Sequence, residues 1–329
     1  MHNSLYLCTL FLNTMFHLKS ITMKKITLLV AVMALGLFFV SCNKEGQFNP
    51  KNKIDRIGIS ATINYEVYQN NVWVSQGTQN VSRYAAEIWN WDGKLLKSIA
   101  HYNSSGELRY TENYEYDGKR LSKISWGQAG YYSFTYDHGK ISTIDGFNGT
   151  EKKVTFVFTH EKGKISRITV TDYDATKGAF DPIPVNAFRF FIPSANMEEF
   201  TKMMAKIYSQ MNTKNIETWT IDFEWDGKNI KKLTYLSGNY TANYSYTYDN
   251  KFNPYSGLFD ISDYDYGMIM SKNNITRMVA DNSNNEHVER DYVYTYDGKV
   301  PTMQTCSYSE AASSSERFVY TTINYFEYK

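Results

Sequence analysis

Residues 114–124 read YEYDGKRLSKI, and the fold turns on this stretch. Tyr114 and Tyr116 flank Glu115, so both rings share one face of an extended strand. Asp117-Gly118 supplies the φ > 0 geometry of a tight hairpin turn whose twist matches the strands on either side. Leu121 and Ile124 follow, three residues apart, and cannot share a face of a regular strand; their spacing predicts a bulge or bend. The paired aromatics read as cross-strand packing, each contributing about 0.2–1 kcal/mol over alanine.

The pattern recurs. Its other copies are IWNWDGKLLKSI (88–99), FTYDHGKISTI (134–144), FVFTHEKGKISRI (156–168), FEWDGKNIKKL (223–233), YTYDNKFNPY (246–255) and YTYDGKVPTM (294–303). Weaker halves are NKIDRI (52–57) and NNITRM (273–278). The first aliphatic or aromatic after each turn falls at Leu96, Leu121, Ile141, Ile165, Ile230, Phe252, Ile275 and Val300, with steps of 20 to 25 residues except for one of 65 after Ile165. From Ile54 to Leu96 there is room for two steps, with an intervening turn near Asn70-Asn71. Aromatics make up 16% of the chain, with 28 Tyr, a palette that suits pleated, half-buried strands. The expected fold is therefore all-β and mainly antiparallel: a meander of about nine hairpins forming a twisted sheet or open half-barrel, with one inserted amphipathic α-helix.

These copies resemble the YD repeats of RHS-type proteins, whose core is a Tyr-Asp pair, a glycine and an aliphatic strand restart. The order of segments from residue 39 to the aromatic terminal strand is also similar to a group of Bacteroides-type lipoproteins of unknown function. The resemblance covers most of 54–329 and implies hairpin units, not an activity.

The inserted helix belongs to the long step, where a loop-helix insertion occupies about 174–215. Asn196 with Glu199 forms a capping-box-like start. Phe200, Met203, Met204, Ile207, Tyr208 and Met211 then follow at helical spacing, predicting a helix over about 197–211. Such a stripe either packs on the concave face of the sheet or lies over a chamber as a lid. In the second case Phe188, Phe190, Phe191, Phe200, Met203, Met204, Ile207 and Met211 line an apolar ligand site.

Location is read from the start of the chain. Lys24 and Lys25, an apolar run over 26–40 and then Ser41-Cys42 form an export signal. The run is 15 residues, short of the ~20 that a spanning helix needs. Phe39-Val40-Ser41-Cys42 resembles a bacterial lipobox with Phe in place of the commoner Leu. That resemblance implies cleavage before Cys42 and diacylation of its sulfur. Lys44-Glu45 resembles the export tag that sends Bacteroides-type lipoproteins to the cell surface. The domain reading is thus a doubtful leader (1–22), a signal peptide (23–41), a lipidated tether (42–53) and the β domain (54–329). With Cys8 in the leader and Cys42 acylated, Cys306 stands alone, so no internal disulfide is expected.

No chemistry of an enzyme is legible. His101, His138, His160 and His287 occur without HExxH or a partner cysteine, and no GxGxxG, Walker or GxSxG string is present. His138 and His160 read as turn residues. Asp172, Asp174, Asp263 and Asp265 lack the rest of a calcium loop. No metal or cofactor is expected. With 35 basic against 34 acidic side chains, nothing favours nucleic acid. The expected partners are the membrane, through the anchor at Cys42, and a glycan or another envelope protein. The leading functional reading is a non-enzymatic binding or scaffold module of the outer membrane, facing the cell surface. Two alternatives stay open, an apolar-ligand carrier and a glycan-binding or carbohydrate-active protein. Exposure of Trp89, Trp91, Trp126 and Trp225 would mark a glycan platform.

Overall fold

The structure is a computed structural model that describes residues 45–127, 130–173, 218–261, 265–283, 287–313 and 315–329. These form sixteen strands: β1 (Ile54–Gln69), β2 (Val72–Asp92), β3 (Leu95–Tyr102), β4 (Leu108–Asp117), β5 (Arg120–Trp126), β6 (Gly130–Asp137), β7 (Lys140–Asn148), β8 (Glu151–Glu161), β9 (Lys164–Asp172), β10 (Thr218–Asp226), β11 (Asn229–Ser237), β12 (Tyr240–Tyr248), β13 (Ile275–Asn282), β14 (His287–Asp297), β15 (Val300–Ser313) and β16 (Glu316–Tyr328). Each strand pairs antiparallel with its neighbours in sequence, and β1 pairs with β16 to close a barrel.

Alternation of side chains sorts the two faces. In β10, Trp219, Ile221 and Phe223 are buried in the bore, while Thr220, Asp222 and Glu224 point away from it. The expected bulge is present at Trp91, Tyr116, Tyr136, His160, Trp225, Tyr248 and Tyr296, where the register slips by one residue against the partner strand. The slip turns both aliphatics of the three-residue spacing inward: Leu96 with Ile99, Leu121 with Ile124, Ile141 with Ile144, and Ile165 with Ile168 are all buried. At the turns, Asp117-Gly118 and Asp226-Gly227 lead from one strand into the next, with φ at +61° for Gly118. Asn70 and Asn71 both take positive φ at the β1–β2 turn, as a type I′ hairpin requires.

The fold class read from the sequence is corrected here. The meander is not an open sheet or half-barrel, because β16 returns to β1 and leaves no free edge. Closure also sets aside the RHS-like, YD-repeat reading of the hairpins, since they complete one sixteen-strand ring and not an open array. Among the described residues the helical element is α1 (Tyr266–Met270), one short turn and not an amphipathic helix packed on a sheet. The helix expected over 197–211 lies outside the described residues.

A sixteen-strand ring is wide enough to leave a bore that side chains from the wall alone do not fill. The described residues between β12 and β13, 249–261 and 265–274, enter it as a plug. Tyr255, Leu258, Phe259, Ile261, Tyr266, Met268 and Ile269 of this segment are all buried in the core with the inward-facing strand residues.

Candidate functional site

Two features of the barrel carry side chains whose placement bears on function, the plugged bore and the rim where the Asp-Gly turns lie.

The plug spans the bore. Asp260 accepts a 2.6 Å hydrogen bond from the Tyr114 hydroxyl on β4, and Asp265 accepts one of 3.1 Å from Tyr246 on β12. β4 and β12 stand eight places apart in the ring by either route, so these two anchors lie on opposite walls. The Tyr255 ring packs on Trp89 of β2 and Phe326 of β16, and Tyr266 meets Phe223 of β10 edge to face. Asn253 braces the segment by donating to the carbonyls of Met268 and Ser271 at 2.7 and 2.8 Å. Gly267 is required by a close approach, since an added Cβ would fall 2.8 Å from the Tyr246 ring. Between plug and wall a cavity of about 10 Å³, room for one water, is lined by Asn253, Tyr255, Met268, Ile275, Tyr294 and Gln304.

Beside the plug lies a buried polar seam. Glu87 on β2 accepts from the Trp89 indole at 2.8 Å, and His101 on β3 sits 3.6 Å from Glu87 and 3.3 Å from Glu112 on β4. Tyr114 also donates to Glu112 at 3.1 Å, so its hydroxyl joins the seam to Asp260 of the plug. Sequence reading weighed His101 only as a metal ligand and passed over Glu112. The signal was the period of two: His101 shares the inward face of Ile99, and Glu112 that of Tyr114. Burial raises the Asp265 carboxyl above its ordinary range, opposed by hydrogen bonds from Tyr246 and from the Gly267 and Met268 amides. No group of His, Cys, Asp or Glu that could hold a metal occurs among the described residues.

The rim is held by a repeated contact. At several bulges a backbone carbonyl lies outside the ladder, and an aromatic near the end of the next even-numbered strand supplies its donor. Trp91 donates to the Ile54 carbonyl at 2.7 Å, Tyr136 to Leu121 at 2.7 Å, Trp225 to Ile165 at 2.6 Å and Tyr328 to Pro301 at 2.8 Å. Cations lie over several of these rings, among them Lys53 over Trp91, Arg120 over Tyr136 and Lys164 over Trp225. Freed amides are met from elsewhere: Leu121 donates to the Gly46 carbonyl at 2.8 Å, Ile141 to the Glu45 carboxylate at 2.7 Å, and Ile230 to Ser271 of the plug at 2.9 Å. Glu45 also meets His160 at 3.0 Å, which places His160 in a strand and not at a turn tip. Phe48 packs against Trp89 and Trp91, so residues 45–48 run along the inside of the rim from β8 to β2.

The outer face of the wall is polar. Arg167 pairs with Asp222 across β9 and β10, Arg277 with Glu289 and Asp291 across β13 and β14, Lys123 with Glu115 across β5 and β4, and Arg83 with Glu327. Among the described residues the exposed large apolar side chains are Tyr68, Val72 and Val74 at the β1–β2 hairpin and single residues such as Leu108, Val157 and Val293 on separate strands. A membrane-spanning barrel has the opposite arrangement, with an apolar band outside and polar groups inside.

Of the residues singled out in the sequence, Cys42 and the eight lining candidates Phe188 to Met211 lie outside the described residues. Trp89 is fully buried, and Trp91, Trp126 and Trp225 pack against the core. The glycan-platform alternative therefore fails. The leading reading, a lipoprotein scaffold or binding module on an open sheet, is overturned by closure, which turns the inward face of every strand onto a filled bore. The apolar-carrier alternative finds no support in that closed, plugged bore.

No protein-family model matches the chain, and no curated protein matches it. Solved structures similar in fold include two porin-like proteins. A porin-like protein from Bacteroides uniformis matches with 14% identity and a TM-score of 0.47, covering 87% of this chain and 100% of that one. A porin-like protein from Bacteroides vulgatus matches with 9% identity and a TM-score of 0.40, covering 85% and 99%. At these scores the likeness carries no conclusion about activity.

Proposed function

We propose that this chain is a non-enzymatic, peripheral barrel of the outer membrane, held by acyl chains on Cys42 and displayed at the cell surface, with its strands in water and not in lipid. One observation carries the reading: cross-strand ion pairs such as Arg167 with Asp222 and Arg277 with Glu289 cover the outer wall while aromatics fill the bore. Placing such charges against hydrocarbon costs about 2–4 kcal/mol each for Arg or Lys at the bilayer midplane. Attachment then falls to the anchor, and two acyl chains on Cys42 suffice for stable binding. Mass measurement of the mature chain is expected to find an acylated Cys42 as its first residue; an unmodified residue 42 would overturn the anchor. Protease added to intact cells is expected to cleave the barrel, and full protection would overturn surface display.

A diffusion pore is the second reading, because sixteen strands is the count at which barrels begin to leave an aqueous channel. The plug pinned to opposite walls by Asp260 and Asp265 weighs against it. Planar-bilayer recording separates the two, with no stepwise conductance expected.

A further inference from the structure

We infer that the outer edge of β2 is a pairing face for a second copy of this chain. The ring leaves no end strand unpaired, but one strand outruns its neighbour. β2 runs from Val72 to Asp92, and β3 meets only its last part, 87–92. Over 72–86, among the described residues, β2 pairs with β1 alone, so its other edge offers backbone N–H and C=O groups to a further strand. That edge lacks the usual chemical guards. Residues 72–82 contain no charged side chain and no proline, and Val72 and Val74 are exposed beside Tyr68 at its tip.

The bulges of β2 select the partner. Against β1 it carries one extra residue at Gln76 and another within Ser82-Arg83, so the two slips begin three places to either side of Gln79. A twofold axis through Gln79 sets Gln76 of one copy against Ser82 of the other, and each slip meets its counterpart. A foreign strand would need extra residues at the same spacing to follow this edge. A second copy has them by symmetry.

The faces agree along this register, in which directly opposed residues share one side of the sheet. Thr78 meets Asn80 on the outer face, where Thr78 already donates to Asn64 at 2.7 Å and Asn80 accepts from Thr62 at 3.0 Å. Val74 meets Tyr84 on the opposite face, the side of their β1 partners Val67 and Ile59. Arg83 meets Ser75, so no like charges oppose one another. Residues 74–84 of the two copies then form about ten interstrand hydrogen bonds, as many as a standard protein interface contains.

Sedimentation velocity of the purified full chain in detergent is expected to show a reversible equilibrium between monomer and dimer. Gln79 is exposed, so a charge placed there leaves the barrel intact, which an unchanged thermal midpoint checks. Q79K sets two lysines face to face on the axis and should weaken the dimer by about tenfold or more. Q79E should do the same, and an equal mixture of the two variants should restore pairing. In cells, Q79C treated with a short bismaleimide should give a crosslinked dimer, whereas S307C on the exposed outer wall and the parent chain should not. A monomer at every concentration, a dimer that Q79K leaves unchanged, a mixture that fails to pair, or equal crosslinking of the three chains would overturn the pairing face. So would a monomer whose β2 edge is taken by a strand of another polypeptide.

Discussion

The Tyr116 hydroxyl donates to the Leu96 carbonyl at 2.9 Å, joining the strand that enters one hairpin turn to the strand that left the previous one. Leu96 is the residue at which the β2–β3 register slips, so its carbonyl lies at a break in the ladder. The ring of Tyr116 rests on the core while its hydroxyl closes that break. Trp91, Tyr136 and Trp225 repeat the relationship with Ile54, Leu121 and Ile165. At these hairpins an aromatic with a polar tip before the turn is thus the partner that the preceding bulge requires.

Replacing Tyr116 by Phe keeps the ring and removes the donor. The Leu96 carbonyl is then short of a partner, at a cost of about 1–3 kcal/mol. Urea unfolding of Y116F should show a lower midpoint with an unchanged m-value; a midpoint equal to that of the parent would mean that water replaces the hydroxyl without loss.

The plug should unfold with the wall. Ile269 is fully buried, and truncation to Ala removes methylenes that the ring of strands cannot close over, at a cost of about 2–5 kcal/mol. One transition, shifted as a whole, is expected by both tryptophan fluorescence and far-UV circular dichroism. An early separate transition in I269A would show that the wall holds without the plug.

Asp265 makes stability depend on pH. Its pKa in the folded protein is raised from 3.8, first by burial, against the lowering effects of the Tyr246 hydroxyl, the Gly267 and Met268 amides and Arg290. A raised folded value means that the native state holds the proton more tightly than the unfolded chain does. The resulting stabilisation is complete below the unfolded value near 4 and is lost as pH rises through the folded one. Denaturant midpoints measured between pH 4 and 7 should fall less in D265N than in the parent, and identical slopes would count against the assignment.

Cys306 should be inert. Burial pushes its thiol up to about 12, leaving almost no thiolate near neutrality. Iodoacetamide, followed by peptide mapping, should leave Cys306 unmodified in the native protein and alkylate it fully in denaturant. Labelling under native conditions would indicate that the interior of β15 opens.

Local geometry was legible in the chain itself. YEYDGKRLSKI contains the two-residue period of its strands, the left-handed glycine of its turn and the three-residue spacing that becomes a bulge, because each depends on residues within a few positions of one another. The barrel was not legible, since closure joins Ile57 to Phe326 and Ile63 to Tyr320, whose separation in the chain leaves no local trace. Hairpin patterns read the same in an open sheet as in a ring; what selects the ring is the accumulated twist and the cost of two free edges.

The bore divides in the same way. That Tyr114 and Tyr246 face inward follows from alternation along each strand, whereas Asp260 reaches Tyr114 only because the segment after β12 crosses to the far wall. His101 lies between Glu87, directly opposite it on β2, and Glu112, diagonally across on β4, a relation of hydrogen-bonded neighbours and not of sequence spacing. The tertiary structure also decided which surface is the outside. Once the ring closes with its aromatics inward, the Lys, Arg, Asp, Glu and Thr of the alternate positions have only the exterior to occupy, and charges without lipid-compatible cover must meet water.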